Sequence, residues 1–262
     1  MDRMQFFQTV STSVDLLLDG AVTSVGTSSI AVSIEVSAVD SSRTPRRLAT
    51  SKFLMVSRSR EDNRAQPVAK LNSPDGKHVA HPRKATSVEP SGWRPEEMAL
   101  LHDLHRQRQI DASQFIWQSD CKDAKSVLMH SQARNVYGRI FGGHLMSQAY
   151  EIAWVAVYKL AREMPSPTFI DDVEFLRPVD IASVVSFEAQ VVYTSGTDAI
   201  VDVKAIVHNP LLNETMITNT FHFGFQLDQL ATQVVPERYD EMVTYVEGLR
   251  RCQSFQSIQN QD

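Results

Sequence analysis

From Leu145 onward the apolar residues fall at 145, 146, 149, 152, 153, 156, 157 and 160, the spacing of one helix face, and the pattern runs from 143 to 162. Gly142 and Gly143 open it. On the other side Trp154, Val155 and Tyr158 surround Glu151, so neither side is plainly polar and the pattern predicts a helix covered on both. Pro165 and Pro167 end it. The segments 168–175, 184–193, 199–208 and 215–226 read as strands, and so does 126–130 ahead of the helix. A single helix wrapped by a curved sheet is the arrangement these elements predict. Tyr239, Met242, Val243, Val246 and Leu249 then predict a short closing helix, with a polar, frayed tail after Cys252.

The first sixty residues have no long helical pattern. Residues 5–58 alternate as strands do, most clearly Ile30, Val32, Ile34 and Val36, and 53–56 follow after a polar break. They also repeat the later strands weakly. Gly26 and Ile30 match Gly196 and Ile200 at an offset of 170, while Thr50 and Phe53 match Thr218 and Phe221 at 168. The chain is therefore divided into a partial domain at 1–58, a linker with a short helix at 59–115, a complete domain at 116–235, and a C-terminal helix and tail at 236–262. Carried back by 170, the helix of the first copy would fall before Met1. This predicts a first copy without its first strand and central helix, an exposed apolar sheet around Leu16, Leu18 and Val22, and a chain that self-associates or is marginally stable.

Charge changes the picture only in the middle, where residues 41–110 carry 14 Lys and Arg against 7 Asp and Glu in a chain of net charge −5. Five prolines between 67 and 95 make this a solvated linker before it is a nucleic-acid or membrane surface. A helix start at Pro95-Glu96-Glu97 is the exception. Two distant cysteines, Cys121 and Cys252, suit a reducing compartment and supply neither a disulfide framework nor a metal cluster. No stretch has the apolar length of a membrane span. A Gly-x-Ser-x-Gly elbow, a phosphate-binding loop and zinc-type cysteine pairs are all absent.

The run Asn135-x-x-Gly138-x-Ile140-Phe141-Gly142-Gly143-x-Leu145-Met146, then Ala149-Tyr150-Glu151, Asp171-Asp172-Val173-Glu174-Phe175 and Arg177-Pro178-Val179 resembles the second domain of the mitochondrial acyl-CoA thioesterases of the acyl-CoA thioesterase nine type. The match extends from about residue 117 to the C-terminus. The resemblance implies an α+β hotdog fold, one copy complete and one partial. It also implies hydrolysis of fatty acyl-CoA to free fatty acid and CoA, with water as nucleophile, no metal and no cofactor beyond the CoA of the substrate. A homo-oligomer through hotdog sheets, a mitochondrial location and no nucleic-acid partner follow from the same likeness, although Met1-Asp2-Arg3-Met4 lacks the character of a transit peptide. The rival class is a non-catalytic remnant that binds acyl-CoA or another subunit. A hotdog dehydratase using His130 or His144 is the nearest enzymatic rival, but its Pro-Gly or Asp-containing turn is not found.

Within that frame Asn135, Gly143 and Glu151 are the catalytic candidates, and Gly142, Arg177, Ser195 and Gly196 the substrate-binding ones. Glycine amides at a helix start offer unpaired N–H donors where an oxyanion forms, although two glycines equally serve a tight turn. Asn135 is either an orienting amide, as in the family's active site, or a turn residue. Glu151, set among aromatic side chains, is either a proton-transfer group with a raised pKa or a structural carboxylate. Arg177 and the Ser195-Gly196 turn suit phosphates and a close-passing pantetheine arm, and neither needs a ligand to explain it. The family's further essential Asp lies on the first domain's helix. Asp171 and Asp172 are read instead as strand-start residues.

Overall fold

The computed structural model describes residues 3–8, 14–39, 44–59, 62, 64–71, 92–110, 112–171, 173, 175, 177–209, 214–229 and 231–259. Its chain forms two compact units, Met1–Gly92 and Trp93–Asp262. In the first unit β1 (Arg3–Phe6), β2 (Asp15–Val25), β3 (Ser29–Val39) and β4 (Arg46–Val56) make an antiparallel array in the order β2-β3-β4-β1. No helix occurs among its described residues.

In the second unit α1 (Pro95–Ile110) and β5 (Phe115–Trp117) lead into β6 (Lys122–Leu128) and the long α2 (Gly142–Ala161). Then come β7 (Ser166–Asp171), β8 (Val184–Ser195), β9 (Asp198–Asn209), β10 (Glu214–Gln226), β11 (Gln233–Val235) and α3 (Tyr239–Gln259). The antiparallel order is β7-β10-β9-β8-β6, and β5 pairs β11 in parallel. The sheet is covered on one face by α2 and on the other by α1 and α3.

Alternation along the strands produces both layers. Toward α2 point Val185, Phe187, Ala189 and Val191, their β9 partners Val207, Ala205, Val203 and Val201, and Phe221, Phe223 and Phe225. Tyr150 of α2 sits against Phe223 and Phe225, with ring centroids 5.9 and 6.0 Å apart. Leu145, Ala149, Ile152, Ala153, Ala156 and Val157 are the buried residues of α2. The helix stops where Arg162 takes a left-handed conformation, φ 59°, its N–H bonding to the Tyr158 carbonyl at 2.8 Å. Its far side is less covered than expected: Trp154 and Val155 are half-buried and Tyr158 is exposed. Trp154 stacks on Tyr158 at 5.2 Å and donates to the Pro165 carbonyl, so the helix buries one apolar stripe.

On the opposite face Tyr193, Ile200 and Phe169 form a second core with Leu101 and Leu104 of α1 and Tyr245, Val246, Leu249, Cys252 and Phe255 of α3. Both helices begin alike: Glu97 accepts from the Arg94 N–H at 2.7 Å and Glu241 from the Arg238 N–H at 3.3 Å, each reaching back to the residue before the first turn. The helix at Pro95, assigned above to a linker, packs within the second unit. The closing helix is nearly six turns long, because Phe255, only 4% exposed, anchors the part expected to fray. Asp172 and Glu174, within the expected strand 168–175, and most of the proline-rich stretch lie outside the described residues.

The internal repeat is sharper in the pairing than in the residues. Thr23 is bulged out of β2, between Val22↔Val32 and Ser24↔Ala31, and Val192 out of β8, between Val191↔Val201 and Tyr193↔Ile200. Leu48 is bulged out of β4 and Thr218 out of β10, against Val36/Ser37 and Ala205/Ile206. These irregularities superpose at a shift of 169 residues for β2 and β3 (192 − 23) and 170 for β4 (218 − 48). The letter matches at 170 and 168 are thus displaced from the true register by one or two residues. Phe53 corresponds to Phe223 and not to Phe221.

Arg250 donates to both carboxylate oxygens of Glu97, at 2.7 and 2.9 Å, and this hydrogen bonding holds the Glu97 carboxyl below its ordinary range. A depressed folded-state pKa contributes stability that is complete above the unfolded value of 4.5 and is lost as pH falls through the lowered one. Glu97→Gln is expected to cost about 1–3 kcal/mol near neutral pH and to flatten the acid limb of stability. Urea midpoints measured across that range check both effects.

Candidate active site at the start of the long helix

The segment before α2 is a tight loop organised by Asn135. Its side-chain oxygen accepts from the N–H groups of Tyr137 and Arg139 at 2.9 and 3.1 Å, its own N–H donates to the Arg139 carbonyl, and its carbonyl accepts from Gly138 at 3.1 Å. Gly138 closes the loop at φ 75°, a conformation that favours glycine. The amide NH2 of Asn135 is the side-chain group this loop does not use. Arg139 bridges the backbone of Asp180 and pairs with its carboxylate, while Ile140 donates to the Val179 carbonyl. The loop is thereby fastened beside the chain that leads into β8.

Phe141 precedes the first turn in an extended conformation, φ −70° and ψ 131°, and offers no side-chain acceptor to it. The N–H groups of Gly142 and Gly143 begin a helix without a side-chain cap, at its positive end. Both glycines are required by crowding as well. A Cβ on Gly142 would stand 2.6 Å from the Phe175 ring, and one on Gly143 would stand 2.5 Å from that of Phe141. Val136, Tyr137, Phe141 and Phe175 are exposed, so the polar donors sit within an apolar rim. The sequence reading missed this rim, whose only signal is large apolar residues placed in a glycine-rich turn.

Asn135, Gly142 and Gly143 belong to one loop-to-helix stretch, in which Asn135 stands opposite Arg139 and Ala133 opposite Phe141, and Arg177 lies on the segment that passes Phe175. Arg177 is exposed and contacts the Met216 sulfur at 2.6 Å. Glu151 is not part of this group. It lies nine residues into the helix, about 14 Å along the axis from Gly142. The desolvated aromatic setting expected for it is also not what forms, because its side chain is 56% exposed and pairs with Lys125 at 2.8 Å. Gln148 bonds to both partners of that pair.

Ser195 and Gly196 are at the other end of the helix. Lys159 in its last turn pairs with Asp123 of β6, whose neighbour Lys122 stands opposite Gln190, and the hairpin lies still further along β8. Gly196, φ 58°, is the first central residue of a two-residue hairpin, the position that demands glycine there. The carbonyls of Gly196 and Thr197 accept from Ala231 and Leu227. The hairpin is thus used to seat the chain that follows β10. Asp171 is buried and placed across from His222 on the α3 side. The thiols of Cys121 and Cys252 are buried and pushed up to about 12, chiefly by that burial. Among the described residues no group of three His, Cys, Asp or Glu stands ready for a metal, and no helix is long and apolar enough to cross a membrane.

A long helix packed on a five-stranded antiparallel sheet is the hotdog fold. Residues 137–211 match the family model described as Thioesterase superfamily. Among individual proteins, the chain is 32% identical over 170 residues to acyl-coenzyme A thioesterase 10, mitochondrial, of Mus musculus, covering 61% of this chain and 39% of that protein. It is 31% identical over 191 residues to acyl-coenzyme A thioesterase 9, mitochondrial, of Bos taurus, covering 69% and 43%. The chain therefore spans about two fifths of the length of these relatives. The acyl-CoA hydrolase of Bacillus cereus shares the fold, with a TM-score of 0.53 at 20% identity over 55% of this chain and 92% of that one.

An exposed ion pair contributes at most about 1 kcal/mol. Glu151→Gln is accordingly expected to shift the urea midpoint by no more than this and to leave the pH profile of thioester hydrolysis unchanged. A profile that loses one limb in the variant would return Glu151 to proton transfer.

Proposed function

We propose that this chain hydrolyses acyl-CoA thioesters to free fatty acid and CoA at the start of α2. The observation that carries the reading is the uncapped pair of amides at Gly142 and Gly143, with exposed Val136, Tyr137, Phe141 and Phe175 on the loop before them and the flanking segment. A thioester carbonyl oxygen becomes an oxyanion when water attacks its carbon, and N–H donors fixed at a helix start stabilise that charge without reorganising. The NH2 of Asn135 is the neighbouring donor that orients the water or the carbonyl. Collapse of the tetrahedral species breaks the carbon–sulfur bond and releases the CoA thiolate, the proton lost by the attacking water passing to solvent. Val136, Tyr137, Phe141 and Phe175 give the acyl or pantetheine chain apolar contact.

CoA enters as part of the substrate, with no further cofactor. Arg177 is the cation on the flanking segment suited to its phosphates. The relatives are named mitochondrial thioesterases, and a mitochondrial setting is proposed on that likeness. A hexameric acyl-CoA thioesterase shares the fold at a TM-score of 0.52 and 21% identity, and we extend a homo-oligomer through the sheets to this chain.

The second reading is binding without turnover. The position of Glu151, about 14 Å of helix rise beyond Gly142 and with its carboxylate paired to Lys125, favours it. Free thiol released from a panel of acyl-CoAs separates the two readings. Under the hydrolytic one, Asn135→Ala and Gly143→Pro each lower the rate by about 10², the first by losing an amide and the second by removing an N–H. Folded variants with unchanged turnover would place the site elsewhere.

A further inference from the structure

Across the α3-facing side of the sheet runs a row of polar residues, Lys122 on β6, Gln190 on β8, Asp202 on β9, His222 on β10 and Asp171 on β7, each paired with the next. Asp171, Asp202 and His222 are buried, none more than 9% exposed, and the hydrolytic reading uses none of them. Nδ1 of His222 lies 2.7 Å from the Asp202 carboxylate. Its Nε2 lies 3.2 Å from Nη2 of Arg251, on α3. A guanidinium only donates, so Nε2 is the accepting nitrogen and the ring proton sits on Nδ1, shared with Asp202. The contact with α3 therefore requires a neutral imidazole.

A second proton on the ring goes to Nε2, where N–H would face N–H and cation would face cation. Asp202 receives the Nδ1–H in both forms, so its bond does not decide between them. Asp171, across from the ring on β7, favours the added charge, and Lys204, on the same side of β9 as Asp202, opposes it. Asp198, further along β9, is engaged by Gln256 at 2.9 Å. The nitrogen that takes the proton faces Arg251, and Arg251 has a second partner in reach: its Nη1 is 3.8 Å from Glu247, one turn back on α3 and 47% exposed. We infer that His222 and Arg251 form a pH-sensitive latch, in which the neutral ring holds the C-terminal half of α3 to the sheet and protonation turns Arg251 out to Glu247. The hold is complete where the ring is neutral and is lost as pH falls through the range in which imidazole titrates. The latch does not rest on the hydrolytic reading.

The test uses the full chain and its own two thiols. Cys252 follows Arg251 in α3 and is 3% exposed, so its reaction with a pyridyl disulfide, which modifies thiols in acid as well as at neutral pH, reports the helix lifting. Cys121, just before β6 and 7% exposed, reports global unfolding in the same sample. Each rate is divided by that of the urea-unfolded chain at the same pH. From about pH 8 to about pH 5, the latch predicts that modification of Cys252 speeds up by about tenfold or more while Cys121 stays protected. In His222→Gln the side-chain amide offers a donor to Asp202 and an acceptor to Arg251 without titrating, and Cys252 stays protected throughout. Arg251→Met serves should His222→Gln fold poorly: with no guanidinium to oppose the proton, Cys252 reacts equally at both ends of the range. Equal protection of Cys252 at both ends in the unaltered chain overturns the inference. Acid-dependent exposure that persists in these variants, or that Cys121 shares, overturns it as well.

Discussion

Burial of one stripe of α2 against the faces of β8, β9 and β10 is the contact on which the second unit depends. Leu145, Ile152 and Val157 are closed off by Val185 to Val191 and the phenylalanines of β10, and each such side chain contributes about 1.5–3 kcal/mol on leaving water. The same contact sets the direction of the helix. Its N-terminal amides emerge at one end of the sheet, where the Asn135 loop is tied down by Arg139 and Asp180. Geometry at the site is therefore a consequence of core packing.

Much of this was legible in the residues. The 3.6-residue stripe of α2 and the period-two runs of β8, β9 and β10 identify their elements, because each buries one side. The closing helix was underestimated, since the polar run from Gln253 hides Phe255 within it. A repeat was visible but misregistered: matching letters reward identical residues, whereas equivalence is decided by where Thr23, Val192, Leu48 and Thr218 leave the ladder. Bulges have no fixed sequence sign, so only the pairing shows them.

The site was legible in the same uneven way. Asn135, Gly142 and Gly143 are close in sequence, and one short loop leads from the first to the other two. Glu151 was misjudged because aromatic neighbours in sequence were taken as burial, when Trp154 and Tyr158 stack on each other and leave the carboxylate to Lys125. Ser195 and Gly196 were linked to the site by the family resemblance, and the antiparallel path of β8 takes them to the far end of the helix. The apolar rim was missed since exposed Val136 and Tyr137 fit neither helical nor strand periodicity.

The most direct measurement of the central claim is the amide NMR spectrum of the chain titrated with a non-hydrolysable acyl-CoA thioether. The account predicts that the Gly142 and Gly143 amides shift most, together with the side-chain NH2 of Asn135, while the amides around Gly196 hold still. Largest shifts at the Ser195–Gly196 hairpin, or saturable binding that leaves both glycine amides in place, would contradict it.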